Sequence, residues 1–185
     1  MEETTTSEQP SLYQHALKWG AIMGIINIII GVLIYAIDYT MMADWKLGIL
    51  IILIVIGVTI YSGINYRNQI GGFLPYGKAF QHGLIFMIIG GLIYSLYNLL
   101  LYTVIDPDLP SKLVDATMEK TEQMLENFGM SGEQLEKGLA DARKRSEGQF
   151  SITGIFTGFA FSIIFYAVIA LITSIFVRKN QPEEI

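Results

Sequence analysis

The chain has 185 residues, of which 52% are hydrophobic and 16% charged, against about 25% charged in an ordinary soluble domain. Its mean hydropathy is +0.46, its net charge is −5, and it has no cysteine. These values exclude a disordered chain, a nucleic-acid binder, a disulfide scaffold and any thiolate chemistry, and they leave an integral membrane protein.

A bilayer core of about 30 Å needs roughly 20 apolar residues in a helix. Spans are predicted over residues 19–37, 47–63, 80–105 and 152–177, none with Asp, Glu, Lys or Arg inside it. No strictly alternating segment competes with them, which argues against a β-barrel, and in lipid the backbone must satisfy its own hydrogen bonds. The segment before the first span, MEETTTSEQPSLYQH, is acidic and polar. A signal peptide wants a basic leader, so the first span is expected to be a retained helix.

In the first span Gly20, Gly24, Asn27 and Gly31 recur at steps of four, three and four, on one helical face. Small residues let helices approach closely in lipid, and a buried amide needs a partner. Asn27 is open to two readings: an interhelical hydrogen bond, with Tyr94, Ser95, Tyr97 or Asn98 as candidates, or a ligand contact in a bundle cavity. The second span is short and rich in β-branched residues, and its length and position argue for a helix.

Residues 71–77 supply glycines and a proline for a tight re-entry into the third span, without the glycine–lysine–hydroxyl spacing of a phosphate loop. Tyr61, Tyr66, Phe73 and Tyr76 suit an interfacial aromatic belt. His82 follows near the start of span three. The only other histidine is His15, and a metal site needs three or four ligands. A hydrogen bond from His82 to a loop carbonyl is therefore expected, and no metal.

Residues 106–150 carry ten acids and six bases. Asp106-Pro107-Asp108-Leu109-Pro110-Ser111 stops span three, and Ser111 is placed to cap a new helix. Val114, Met118, Thr121, Leu125 and Phe128 share a face of it, which predicts Leu125 and Phe128 as buried. Gly129 should end this helix in a left-handed C-cap, and Ser131 with Gln134 forms a candidate capping box for a second helix. The stripe either packs these two helices on each other and the bundle rim, or docks a partner or the membrane surface.

In the fourth span Gly154, Gly158 and Ser162 form a second small-residue ridge. A bulky residue at Gly24 or Gly158 is expected to be more disruptive than one at Gly91. Lys18, Arg67, Lys78, Arg178 and Lys179 all fall on the side of the termini, which predicts both termini in the cytoplasm.

The fold expected is all-α: a single membrane domain over 1–185, a bundle of four transmembrane helices with an extramembrane helical pair inserted between spans three and four. The chain resembles the bacterial membrane family called domain of unknown function 4199, common in Bacteroidota, from about Leu12 to Lys179. The resemblance is carried by Phe73-Leu74-Pro75-Tyr76-Gly77-Lys78-Ala79-Phe80 leading to Gly83, the Tyr-rich exit from Tyr94 to Tyr102, the Asp106-Pro107-Asp108 break, the acidic insert and the basic stop Arg178-Lys179. It implies an inner-membrane location and four helices, and no activity.

No nucleophile, acid–base pair, metal constellation or cofactor motif is legible. The expectation is a non-enzymatic protein of the bilayer that associates with itself or with another membrane protein, with Gly20, Gly24, Asn27, Gly31, Gly154, Gly158 and Ser162 as its helix-packing residues. The alternative is a small transporter or channel subunit. Absence of charge within the spans argues against proton coupling.

Overall fold

The computed structural model describes residues 10–181. Among the described residues four helices are long and apolar enough to cross a membrane. They are α1 (Leu12–Asp38), α2 (Trp45–Gln69), α3 (Tyr76–Leu100) and α6 (Ile152–Val177), and the pair α4 (Leu109–Asn127) and α5 (Glu133–Gln149) is inserted between the last two. A 3-10 turn extends α1 to Ala43, and a wide π turn extends α3 to Ile105. α1 and α2 begin before the predicted spans, at polar caps that lie beyond the apolar runs, and α3 begins at Tyr76 after Pro75. The Ser11 hydroxyl accepts from Gln14 N, and the Gln14 side chain accepts from Ser11 N. Asp44 caps α2 through Lys46 N, and Ser151 caps α6 through Gly154 N.

α3 is the central helix, packed along α1 and α6. At the end of the bundle nearest the termini (the basic end) the helices are tightly joined. Leu12, Tyr66, Leu74, Ala79 and Val177 form a core there. Leu74 and Lys179 exchange two backbone hydrogen bonds of 2.8 and 2.9 Å, and Arg67 Nη1 donates to the Val177 carbonyl at 2.8 Å. Gly71 and Gly72, at φ 98° and 88°, turn the chain from α2 to α3 in a conformation other residues rarely adopt. Further along, Met23, Phe86, Met87 and Ala170 make a second core.

The opposite end is built differently. The buried residues of α2 all lie from Thr59 onward, and those of α6 from Ala170 onward. Their other halves contribute no buried residue. The α4–α5 pair is anchored at this end by Leu101, Leu109 and Leu113, with Tyr35, Tyr39, Met42, Tyr97, Tyr102 and Phe150 around them.

The insert departs from the expected detail. α4 begins at Leu109 after Asp108, with Pro110 in its first turn and no side-chain cap, so Ser111 is already helical. Proline at a first helical position has no amide left unpaired, which makes the cap dispensable. α5 begins after Gly132, at φ 58°, without a Ser131 capping box. Gly129, at φ 80°, does end α4 in the left-handed conformation. Phe128 is 77% exposed rather than buried, because it falls in the C-cap, where the helical phase has ended. Leu109 and Leu113 fill the anchoring core instead.

Candidate functional site

The α1–α3 contact arises from residues repeated every four positions. On α1 the row is His15, Trp19, Met23, Asn27 and Gly31; on α3 it is His82, Phe86, Gly90 and Tyr94. Glycines set the spacing. A Cβ on Gly20 would lie 2.6 Å from the Phe86 carbonyl oxygen, one on Gly90 3.2 Å from the Gly20 oxygen, and one on Gly24 2.8 Å from Ile93. Gly31 faces the rings of Tyr94 and Tyr97. Of the α6 ridge, Gly154 abuts the Gly148 carbonyl at the α5–α6 corner, Gly158 faces open space, and the Ser162 hydroxyl donates to Phe159 O of its own helix. Gly91, by contrast, lies directly against the Tyr166 ring. The expected ranking of Gly158 above Gly91 is thereby reversed within this chain.

Between the four spans there is a cavity of about 200 Å³. It is lined by apolar side chains of α1, α2, α3 and α6, with Asn27, Tyr94 and Tyr166 as its polar members. Asn27 Oδ1 is buried and has no hydrogen-bond partner. None of the span-three candidates supplies one; Tyr94 only shares the cavity wall. Ile34, Ile51 and Tyr94 also line a larger space of about 720 Å³ beneath the α4–α5 pair, where Asp44, Asp141, Arg145 and Gln149 are found. The two spaces thus share three wall residues. At the other end Met23, Phe86 and Met87 close the inner cavity.

Beyond that apolar layer lies a buried polar cluster. A 2.9 Å hydrogen bond joins His15 Nδ1 to His82 Nε2, and a 3.0 Å bond joins His15 Nε2 to Asn65 Oδ1. Gln69 Nε2 donates to the same Asn65 oxygen at 2.7 Å. The Tyr66 ring stacks on His82 at 5.3 Å between centroids. His82 is fully buried, and its Nδ1 has no partner.

This corrects two expectations. His82 bonds His15 rather than a loop carbonyl, and Tyr66 is a buried partner rather than an interfacial one. Each histidine is on the four-residue row of its helix that packs against the other. The pairing is not local, since 67 positions separate the partners and only the register of α1 on α3 brings them together. Among the described residues no group of three or more potential metal ligands occurs.

The far end is held by ionic contacts. Asp106 accepts a 3.0 Å hydrogen bond from the Tyr35 hydroxyl and pairs with Lys112 at 3.3 Å. Lys120 donates to Thr40 O, tying α4 to the end of α1. Arg143 of α5 pairs with Asp115 of α4 at 2.8 Å.

Four spans, an acidic helical pair before the last, and a basic stop after it are thus all in place. Residues 18–179 match the family described as "Protein of unknown function (DUF4199)". The chain belongs to that family. Neither a curated protein nor a solved structure matches it. This DUF4199 member is therefore a multi-span helical membrane protein, in contact with the bilayer through its four spans. Its arrangement offers chemistry of two kinds: an apolar cavity with one free amide oxygen, and a chain of hydrogen-bonded polar groups leading inward from the basic surface.

Proposed function

We propose that this protein is a non-enzymatic binding protein of the bacterial inner membrane that receives the acyl chain of an amphiphile in its one-sided cavity. Both termini and the α2–α3 turn are cytoplasmic in this reading, as the bases Arg67, Lys78, Arg178 and Lys179 favour. The observation that carries the proposal is the 200 Å³ apolar space, which shares Ile34, Ile51 and Tyr94 with the larger space and meets the buried core of Met23, Phe86 and Met87 on its other side. An engineered apolar cavity of about 150 Å³ already accepts a benzene-sized guest. The space therefore suits several methylenes of a chain, with a polar head left among the mixed charges below the α4–α5 pair. Its lining supports binding rather than catalysis, for it pairs no acid with a base or nucleophile.

Absence of native cysteine makes the test direct. Ile51→Cys in nanodiscs should react with a water-soluble thiol reagent, and palmitate should protect it saturably. A photoactivatable palmitate should crosslink to peptides bearing Asn27, Ile51 or Tyr94, and Ile30→Trp should fill the space and abolish both effects. No saturable protection together with crosslinks spread over the lipid-facing helices would overturn the reading.

A second reading, association with itself or another membrane protein, rests on Gly158, which stands before open space on α6 between the exposed rings of Phe156, Phe161 and Phe165. Crosslinking Gly158→Cys in native membranes tests it: a dimer favours it, and a uniformly monomeric product removes it.

A further inference from the structure

The histidine cluster lies on the same helical rows as the layer that closes the cavity: His82 is one turn before Phe86 on α3, and His15 two turns before Met23 on α1, with Trp19 between. Its hydrogens can be counted. Gln69 donates to Asn65 Oδ1, which fixes that oxygen as an acceptor, so His15 Nε2 carries a hydrogen. In the neutral pair His15 Nδ1 then accepts from His82 Nε2, and His82 Nδ1 is left as a bare lone pair. Add one proton, on either ring, and His82 Nδ1 becomes an N–H donor with no acceptor. Add a second, and N–H faces N–H across 2.9 Å, so the bond between α1 and α3 cannot persist.

The surroundings offer a cation no relief. The charged residues at the adjoining ends of the packed elements are Lys18 on α1, Arg67 on α2, Lys78 on α3, and Arg178 and Lys179 after α6; Tyr66 is the titratable group stacked on the pair. Among the described residues no Asp or Glu lies on those ends. Gln69 is exposed and Asn65 half-buried, so the cluster is hydrogen-bonded to within one side chain of the surface, but its one free lone pair, on His82 Nδ1, lies beyond that chain and is reached only by water. A protonated pair is accommodated only when water reaches His82 Nδ1, which requires the basic end to part.

We propose that the His15–His82–Asn65 cluster is a proton-binding gate: protons taken from water at the basic face separate α1 from α3 there and connect the cavity to that face. The inference rests on the cavity reading above and adds to it an activity, release of the bound amphiphile on the side opposite its entry. A ligand acts on such an equilibrium only through its preference for one state, and the proton here prefers the hydrated, open one.

The test uses the full chain in nanodiscs, purified without a histidine tag. Ser62→Cys reports on the closed end, since Ser62 is fully buried and bonds only within α2. Its rate with 4,4′-dithiodipyridine, a disulfide that still reacts in acid, is divided by that of exposed Ser131→Cys. Between pH 8 and pH 5 the ratio should rise at least tenfold, and His15→Gln with His82→Gln should hold it constant. A ratio independent of pH, or a rise that survives the double substitution, overturns the gate. Should the substitutions impair folding, ¹⁵N-histidine spectra of the Ser62→Cys chain decide: the rings must gain protons over the same pH interval in which position 62 opens. Rings that stay neutral while it opens, or charge without opening it, overturn the proposal. Protection of Ile51→Cys by palmitate at pH 8 is read separately, so loss of the gate leaves the cavity reading standing.

Discussion

Gly20 of α1 lies against the carbonyl oxygen of Phe86 on α3, so close that a methyl group in place of its hydrogen would fall 2.6 Å from that oxygen. Backbone cannot retreat as the tip of a side chain can. Gly20→Ala should therefore spread the two helices and cost about 1–3 kcal/mol, the usual penalty of overpacking. Gly158→Ala, with open space before it, should be neutral or gain up to about 1 kcal/mol from helix propensity. Thermal unfolding of both variants in one detergent checks the contrast, and equal midpoints would contradict it.

The anchoring of the α4–α5 pair divides along the same logic. Leu113 is buried in the core with Leu101 and Leu109, whereas Phe128 is exposed. Leu113→Ala should destabilise the anchored pair by about 2–5 kcal/mol. Phe128→Glu should leave its protease resistance within error of the wild type. Limited proteolysis across residues 106–150 measures both, and a labile Phe128→Glu would place that ring in a contact the structure does not contain.

Acid and base should each loosen this anchor. Desolvation pushes the Asp106 carboxyl up, but the hydrogen bonds from Tyr35 and Lys112 and the attraction of Lys112 outweigh it and hold it below its ordinary value. The Lys112 amine is raised, chiefly by its hydrogen bond to Asp106. A depressed carboxyl contributes stability above its unfolded pKa of about 3.9 and loses it as pH falls through the folded value. A raised amine contributes below its unfolded pKa of about 10.4 and loses it as pH rises through the folded value. The pair's contribution should thus be level between about pH 4 and pH 10 and fall on both sides. Hydrogen exchange of α4 amides across pH, corrected for intrinsic rates, should show both limbs, and Asp106→Asn should remove the acid one.

Topology is open to a simpler experiment. Ser131→Cys should be labelled on intact cells by an impermeant reagent, and Ser7→Cys, which lies outside the described residues, only after permeabilisation. The reverse pattern would turn the protein over in the membrane and put the histidine gate on the outer face.

Most of the architecture was legible in the sequence because lipid imposes one rule per span: an uninterrupted apolar run must be a helix. The Asp106-Pro107-Asp108 break and Gly129 were equally plain, since each fixes local backbone geometry whatever surrounds it. The cavity and the histidine pair were not. In a four-helix membrane bundle every face of a span is apolar, so periodicity does not tell which face meets a neighbour. Asn27, His15 and His82 drew notice one at a time, but their meaning depends on α1 and α3 being in register, which rests on glycine contacts such as Gly20 with Phe86. Phe128 shows the converse error: an extrapolated helical stripe ran one residue past the helix that generated it.

The paired backbone hydrogen bonds of Leu74 and Lys179 bear on how the protein is made. During synthesis α1, α2 and α3 are present long before Lys179, and the glycine contacts of α1 with α3 form from the early part of the chain alone. The basic end is completed only when α6 has inserted and Arg178-Lys179 has reached the α2–α3 turn. Until then the nascent bundle lacks the side of its wall that Ala170, Thr173, Ser174 and Val177 later fill. Substitutions that weaken the α6 contact should therefore lower the yield of membrane-inserted protein more than they lower the stability of molecules that have finished folding.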